Sequence, residues 1–131
     1  MKLSDPAKQP KVEKLDKDYA DMKKGDRMLI ATPAIVDSYV REIPKGKSVS
    51  MVTMRRDLAA MHDADNTCPL TTGIFLRIVA EASHDAIEHG TALYRVSPFW
   101  RVVEVNSKLN TKLSFGPGFV KERRKKERLD D

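Results

Sequence analysis

The segment TTGIFLRIVAEASHDAIEHG, residues 71–90, decides the fold of this chain. Its apolar residues recur at the spacing of an α-helix and would form one buried face, which comprises Ile74, Ile78, Val79, Ala82 and Ala86. Thr71 or Thr72 is expected to cap the first turn, and Gly90 is a natural C-terminal stop. The pattern therefore predicts a long helix over residues 71–89.

A shorter helix is expected upstream. Thr32 is a suitable N-cap and Pro33 suits the first helical position. The apolar stripe that follows consists of Ile35, Val36, Tyr39, Val40 and Ile43. Pro44 and Gly46 are expected to end this helix.

A second short helix is expected between these two. Residues 48–52 have the composition of a short extended stretch, and Thr53 can then cap a helix. Met54, Leu58 and Met61 would share its buried face. Arg55, Arg56 and Asp57 would point outward.

After Gly90 the pattern changes to that of strands. Residues 100–105 and 109–115 are expected to form a two-stranded ribbon with a turn at Asn106 and Ser107. Helix, extended stretch, helix, helix and ribbon is the chain order of a winged helix-turn-helix. We therefore predict a single α+β domain, mostly helical, with this winged fold between about residues 32 and 118.

The charged ends of the chain are expected to be tails. Residues 1–27 are rich in Lys and Asp and predict a mobile arm, with a short helix around residues 12–22. Residues 28–120 would form the domain, and residues 121–131 a charged helix or basic tail. Such basic runs favour contact with phosphates.

Composition restricts the class of partner. The chain has 24 Lys and Arg against 19 Asp and Glu, a net charge of +5 that suits a polyanion. The sequence shows neither an apolar run that would span a bilayer nor a secretory core, and one unpaired cysteine suits the reducing cytoplasm. Three scattered histidines and one cysteine predict no metal site, and no cofactor motif is present.

Four short motifs follow one another along the chain. They are Ile43-Pro44-Lys45-Gly46, Leu58-Ala59, Pro98-Phe99-Trp100-Arg101-Val102, and Gly116-Pro117-Gly118 followed by Lys121. Over residues 32–124 this order resembles the DNA-binding domain of the alkylguanine-DNA alkyltransferases and alkyltransferase-like proteins. The resemblance implies a protein that binds double-stranded DNA and takes part in DNA repair.

The departures from that family bear on catalysis. The family's alkyl-accepting cysteine and its histidine lie in a Pro-Cys-His-Arg-Val motif, where this chain has Phe99 and Trp100. A phenyl ring cannot accept an alkyl group, and an indole cannot act as a general base. Met51 or Met54 stands for the family's tyrosine, and its arginine finger has no clear counterpart. The resemblance therefore implies lesion binding without alkyl transfer, so the protein is not expected to be an enzyme.

The resemblance and the charge pattern together define the expected site. Arg55, Arg56, Lys108 and Lys112 are expected to contact phosphates. Thr71, Thr72 and Arg77 lie near the leading end of the long helix and would meet the DNA first. A remnant pocket for the alkylated base would be formed by Pro98, Phe99, Trp100 and Arg101.

Several of these residues allow a second interpretation. Aromatic residues at the start of a strand are more often core than ligand surface, so Phe99 and Trp100 can be core residues. Arg77 can be an exposed partner of Glu81. Cys68 can be imagined as a nucleophile with His62, but a buried or incidental cysteine is the simpler interpretation. The scaffold as a whole could also serve protein partners instead of nucleic acid.

Overall fold

The computed structural model describes residues 9–129. Strands β1 to β3 cover Lys11–Lys14, Arg27–Ile30 and Asn66–Thr67, and helices α1 to α5 cover Pro33–Arg41, Met51–Met61, Pro69–Glu88, Lys108–Lys112 and Gly118–Glu127. Two 3-10 turns lie at Leu93–Arg95 and Phe99–Arg101. The prediction of a small α+β domain dominated by helices is confirmed.

Helix α3 is the predicted long helix, but it begins earlier and buries a different face. Pro69 is its first residue, and the N-cap is Cys68, whose side chain makes no capping bond. The buried residues are Thr72, Leu76, Val79, Ala80 and Ser83. Ile74 is 49% exposed, so the predicted face was wrong there and right at Val79. Apolar residues occur nearly all round this helix, and the contacts with α1 and the 99–101 turn select the inner face.

Helix α1 forms as predicted. The Thr32 hydroxyl accepts a hydrogen bond from the Ile35 amide at 3.2 Å, and Pro33 is the first residue of the helix. Later in the same helix, the Tyr39 hydroxyl donates a hydrogen bond to the Asp57 carboxylate of α2 at 2.6 Å. Burial and this carboxylate raise the pKa of Tyr39, so the hydroxyl keeps its proton, and the bond between the two helices, further into the alkaline range.

Helix α2 corrects four expectations, the first of which is the N-cap, because Ser50 and not Thr53 caps the helix. The extended stretch over residues 48–52 is not formed, because the Ser50 hydroxyl accepts from the Thr53 amide and starts the helix at Met51. Arg55 points inward, where its Nε donates to the Thr67 carbonyl at 2.8 Å. Its guanidinium also pairs with Asp21 at 2.7 Å. Of the predicted buried face, Met54 and Leu58 are buried and Met61 is 66% exposed.

The first strand of the sheet, β1, lies in the segment where a mobile arm with a helix was expected. Strand β1 is antiparallel to the central strand β2, with Lys11 opposite Ile30, and β2 is parallel to β3. The predicted helix over residues 12–22 is therefore wrong. Met22, from the connection between β1 and β2, is buried with Met28 and Cys68. These contacts and the Asp21–Arg55 pair join residues of the expected arm to the domain.

The predicted β-ribbon is also wrong. Residues 99–101 form a 3-10 turn, and residues 108–112 form α4, whose N-cap Ser107 accepts from the Asn110 amide at 3.2 Å. The buried Asn110 side chain donates to the Val105 carbonyl at 3.0 Å, which closes the loop before α4. In the described part of the chain no strand follows Thr67. The wing of the predicted winged helix is thus absent there.

The C-terminal charged run is helical, as one of the two expectations had it. Helix α5 is not a free solvated helix, because Val120, Arg124 and Glu127 are buried. Over residues 9–129, no helix is both long and apolar enough to cross a membrane.

Candidate functional site

A cleft of about 290 Å³ opens where α2, α3 and α4 meet. It is lined by Ser50, Met51, Val52, Gly73, Val102, Val103, Glu104, Ser107 and Leu109. Ser50 and Ser107 are the N-caps of α2 and α4, and each accepts a hydrogen bond from its own helix. The caps therefore fix the first turns of both helices at the cleft.

Gly73 leaves the α3 side of the cleft without a side chain. A Cβ atom at this position would meet no atom within 4 Å. Glycine inside a helix costs roughly 0.5–1 kcal/mol relative to alanine, and packing against the rest of the protein does not require it here. Because Gly73 has no side chain, the backbone of α3 is open to the cleft. Glycine is often found at positions where a ligand approaches the backbone closely.

Four exposed basic residues belong to the elements around this cleft: Arg56, Arg77, Lys108 and Lys112. Arg56 lies one helical turn beyond the lining residue Val52, and Arg77 lies one turn beyond Gly73. Lys108 stands between the lining residues Ser107 and Leu109. All four had been predicted as DNA contacts.

Arg77 pairs with Glu81, as the second interpretation of this residue predicted. Its Nε lies 4.0 Å from a carboxylate oxygen of Glu81, and its side chain remains 48% exposed. Glu81 also accepts from the Ser114 amide at 2.8 Å, so it joins α3 to the loop after α4. This ion pair is loose and exposed, and it leaves the guanidinium free to meet a phosphate.

The leading end of α3 differs from the expected surface. Thr72 is fully buried, and its hydroxyl donates to the Cys68 carbonyl at 2.6 Å. Thr71 is half-buried, and its hydroxyl makes no hydrogen bond to the described residues. The residues exposed at this end are Leu70, at 64%, and Ile74. Sequence reasoning missed them as surface residues of the helix, because Ile74 was assigned to the buried face and Leu70 was placed before the first helical residue.

The four residues predicted to form the remnant pocket do not line one common site in the structure. Phe99 is completely buried and packs against Phe115 and Phe119, with ring centroids 5.8 and 5.7 Å away. It is therefore a core residue. Pro98, Trp100 and Arg101 line a separate cavity and not the cleft. The turn is followed directly by Val102 and Val103, which form one wall of the cleft.

A buried polar network fixes this turn. The Glu127 carboxylate accepts from Trp100 Nε1 at 2.8 Å and from Arg101 Nε and Nη2 at 2.8 and 3.0 Å. Arg124 donates from Nη1 to the Trp100 carbonyl at 2.7 Å. Burial opposes ionisation of Glu127, but the bonds from Arg101 and Trp100 outweigh it and lower its pKa. No pattern of residues predicts this network, because the segment that forms α5 has the composition of a solvated helix.

Cys68 occupies a structural position. It is buried with Met22 and Met28, and its sulfur lies 4.0 Å from the Tyr19 hydroxyl. These contacts support the interpretation of a buried cysteine. Burial opposes ionisation of the thiol, but hydrogen bonds from the first turn of α3 and from Tyr19 outweigh it and lower the pKa of Cys68. Among the described residues, no group of three or more His, Cys, Asp and Glu side chains is arranged to hold a metal ion.

Comparison of the chain with protein-family models, with curated proteins and with solved structures found no match. The resemblance to the alkyltransferases therefore rests on the sequence motifs alone.

Proposed function

We propose that this protein binds double-stranded DNA without transferring an alkyl group, with α2 and α3 as a helix-turn-helix unit. The observation that carries the proposal is the cleft at Gly73, together with four exposed basic residues on the helices that line it, Arg56, Arg77, Lys108 and Lys112. In this proposal the basic residues hold phosphates, and the cleft receives an extruded base.

The chemistry of the cleft favours a base over a phosphate. Its walls are apolar at Val102, Val103 and Leu109, and its one charged lining residue is Glu104. A carboxylate repels phosphate but accepts hydrogen bonds from the amino group of a base. Guanine keeps that amino group when its oxygen is alkylated, so alkylated guanine is a suitable ligand for this cleft.

The exposed apolar residues of α3 fit the same role. Leu70 and Ile74 lie on one side of the helix with Arg77, at spacings of four and three residues. Proteins that bend DNA often insert apolar side chains between base pairs. We assign Leu70 and Ile74 to the space that an extruded base leaves.

The test is a binding titration by fluorescence anisotropy, with duplexes that contain guanine or alkylated guanine. If about four phosphates are neutralised, affinity should fall about 100-fold between about 50 and 200 mM salt. Arg77→Gln and Lys108→Gln should each lower the salt slope by about one. Lys24→Gln, an exposed lysine between β1 and β2, is the matched control and should change little.

Glu104→Gln separates base recognition from phosphate binding. It should reduce the preference for alkylated guanine and leave the salt slope close to that of the parent. Undetectable or salt-insensitive binding to every duplex would contradict the proposal.

No alkyl transfer is expected. After incubation with DNA that contains alkylated guanine, the mass of the protein should be unchanged, because Phe99 cannot accept an alkyl group and Cys68 is buried. Cys68→Ser should bind DNA as the parent does. A stoichiometric gain of one alkyl group, located on Cys68 by peptide mass spectrometry, would show that the protein is an alkyltransferase.

One observation favours a second candidate function, the binding of a protein partner. An apolar groove of about 590 Å³ lies between α1 and α2, with Ile35, Leu58 and the exposed Met61 among its lining residues. The two candidates need different surfaces. If DNA is the ligand, Met61→Gln should leave duplex affinity unchanged, whereas Arg77→Gln should lower it.

A further inference from the structure

We propose that the protein has a second binding site, for a nucleotide phosphate, in the cavity beside Trp100. This cavity has a volume of about 430 Å³ and lies between the end of α1, residues 93–101 and α5. It is lined by Arg41, Lys45, Leu93, Tyr94, Val96, Pro98, Trp100, Arg101, Arg123 and Glu127. It shares no lining residue with the cleft at Gly73, so the inference does not depend on the proposed function.

Two of the four cations that line the cavity are already paired. Arg101 is held by the Glu127 carboxylate, at 2.8 Å, and so neutralises the one acidic side chain of the lining. Arg41 pairs with Asp37 at 2.9 Å and donates from Nη1 to the Arg95 carbonyl at 3.0 Å. The inner wall therefore carries no uncompensated negative charge that would repel an anion.

The other two cations are available. Lys45 and Arg123 have no ion pair among residues 9–129. The Nε atom of Arg123 is buried without a hydrogen-bond partner, although its guanidinium lies 5.4 Å from the centre of the Trp100 ring. A buried donor without an acceptor costs free energy, and the Arg123 guanidinium has no counter-ion among the described residues. A phosphate in the cavity would supply that counter-ion.

The cavity also offers an aromatic surface. Tyr94 is 88% exposed at its mouth, so this large ring contributes almost nothing to the packing of the domain. Trp100 cannot take this role, because it is 2% exposed and lies against the guanidinium groups of Arg101 and Arg123. The Tyr94 ring is free to stack on a planar group.

These features together select a class of ligand. The unpaired cations suit a phosphate monoester, the Tyr94 ring suits a base, and Leu93, Val96 and Pro98 suit the apolar edge of a sugar. A nucleoside monophosphate combines all three. The same chemistry is found in a free mononucleotide and at the phosphorylated 5′ end of a strand.

The experiment uses the fluorescence of Trp100, the one tryptophan of the chain. The full-length protein is titrated with adenosine monophosphate, adenosine, inorganic phosphate, and a short single strand with and without a 5′-phosphate. Isothermal titration calorimetry measures the same affinities independently of the fluorophore. We expect saturable binding of the mononucleotide or the phosphorylated strand, and at least tenfold weaker binding of adenosine and the unphosphorylated strand.

Two variants test the residues, and circular dichroism confirms that they fold. Arg123→Gln should weaken binding of every phosphate ligand at least tenfold. Tyr94→Ala, at an exposed position, should weaken nucleotide binding and leave inorganic phosphate unaffected. Arg56→Gln, the control, should lower duplex affinity and leave this site unchanged, so failure of this inference is distinguishable from failure of the proposed function.

The ligand that binds shows which source supplies the phosphate. Binding of the free mononucleotide identifies a nucleotide site, and binding of the phosphorylated strand alone identifies a site for strand ends. Absence of saturable binding, or parental affinity in both Arg123→Gln and Tyr94→Ala, would overturn the proposal.

Discussion

Replacement of Glu127 by alanine is expected to lower the free energy of unfolding by about 3–5 kcal/mol, the usual cost of removing one partner from a buried ion pair. The Glu127 carboxylate is 2% exposed and accepts hydrogen bonds from Trp100 and Arg101. Without it, a guanidinium and an indole N–H lose their acceptor inside the protein. Urea unfolding followed by Trp100 fluorescence measures the change.

Glu122→Ala on the same helix is the matched control. Glu122 pairs with Lys126 at 3.1 Å, but both side chains are more than half exposed. An exposed pair of this kind contributes about 0.3–0.5 kcal/mol. Equal effects of the two variants would show that Glu127 does not support the turn at Trp100.

The lowered pKa of Glu127 adds an acid dependence to this effect. A carboxyl whose pKa is lower in the folded state stabilises the protein above its unfolded pKa, about 4.3 for glutamate. That stability is lost as the pH falls through the folded pKa. The difference in stability between the parent and Glu127→Gln should therefore be constant near neutral pH and shrink below about pH 4.

Replacement of Phe99 by alanine is expected to lower the free energy of unfolding by about 3–5 kcal/mol, the second large effect. The ring is fully buried, and its centroid lies 5.3 Å from that of Trp100 and 5.8 Å from that of Phe115. Its removal leaves a cavity in the aromatic cluster that supports the wall of the cleft. Thermal or urea unfolding measures the loss.

Two comparisons make the Phe99 experiment specific. Phe99→Leu fills most of the space and should cost less, and Tyr94→Ala, at the 88% exposed position, should cost almost nothing. If Phe99→Ala left stability unchanged and altered only DNA binding, Phe99 would be a pocket residue and not a core residue.

The correct predictions from sequence are those that depend on neighbours in the chain. Helix α1 follows from the Thr32 cap, from Pro33 and from an apolar stripe with one polar side. The helical alternative for the C-terminal segment, the outward position of Arg56 and the exposed pairing of Arg77 with Glu81 were also correct. Helical hydrogen bonds and caps join residues three or four positions apart, so a local pattern is enough to predict them.

The wrong predictions concern contacts between distant segments. Val102, Val103 and Val105 have the β-propensity of a strand, but the 99–101 turn buries Val102 and Val103 without any strand partner. The charged segment before residue 27 has the composition of a tail, yet β1 pairs with β2 and Asp21 pairs with Arg55, 34 positions away. In both segments, contacts with distant residues outweighed the structure that local composition favours.

The sequence by itself determined the helical framework and the positive charge of this protein, because both are local or additive properties of the residues. Only the tertiary structure decided that Phe99 is core, that Glu127 is buried beneath Trp100, and that Ile74 faces outward on α3. Whether a side chain faces the core, a cavity or the solvent depends on which distant elements pack against it. That pairing is selected by the burial of the whole chain at once, and no short pattern of residues contains it.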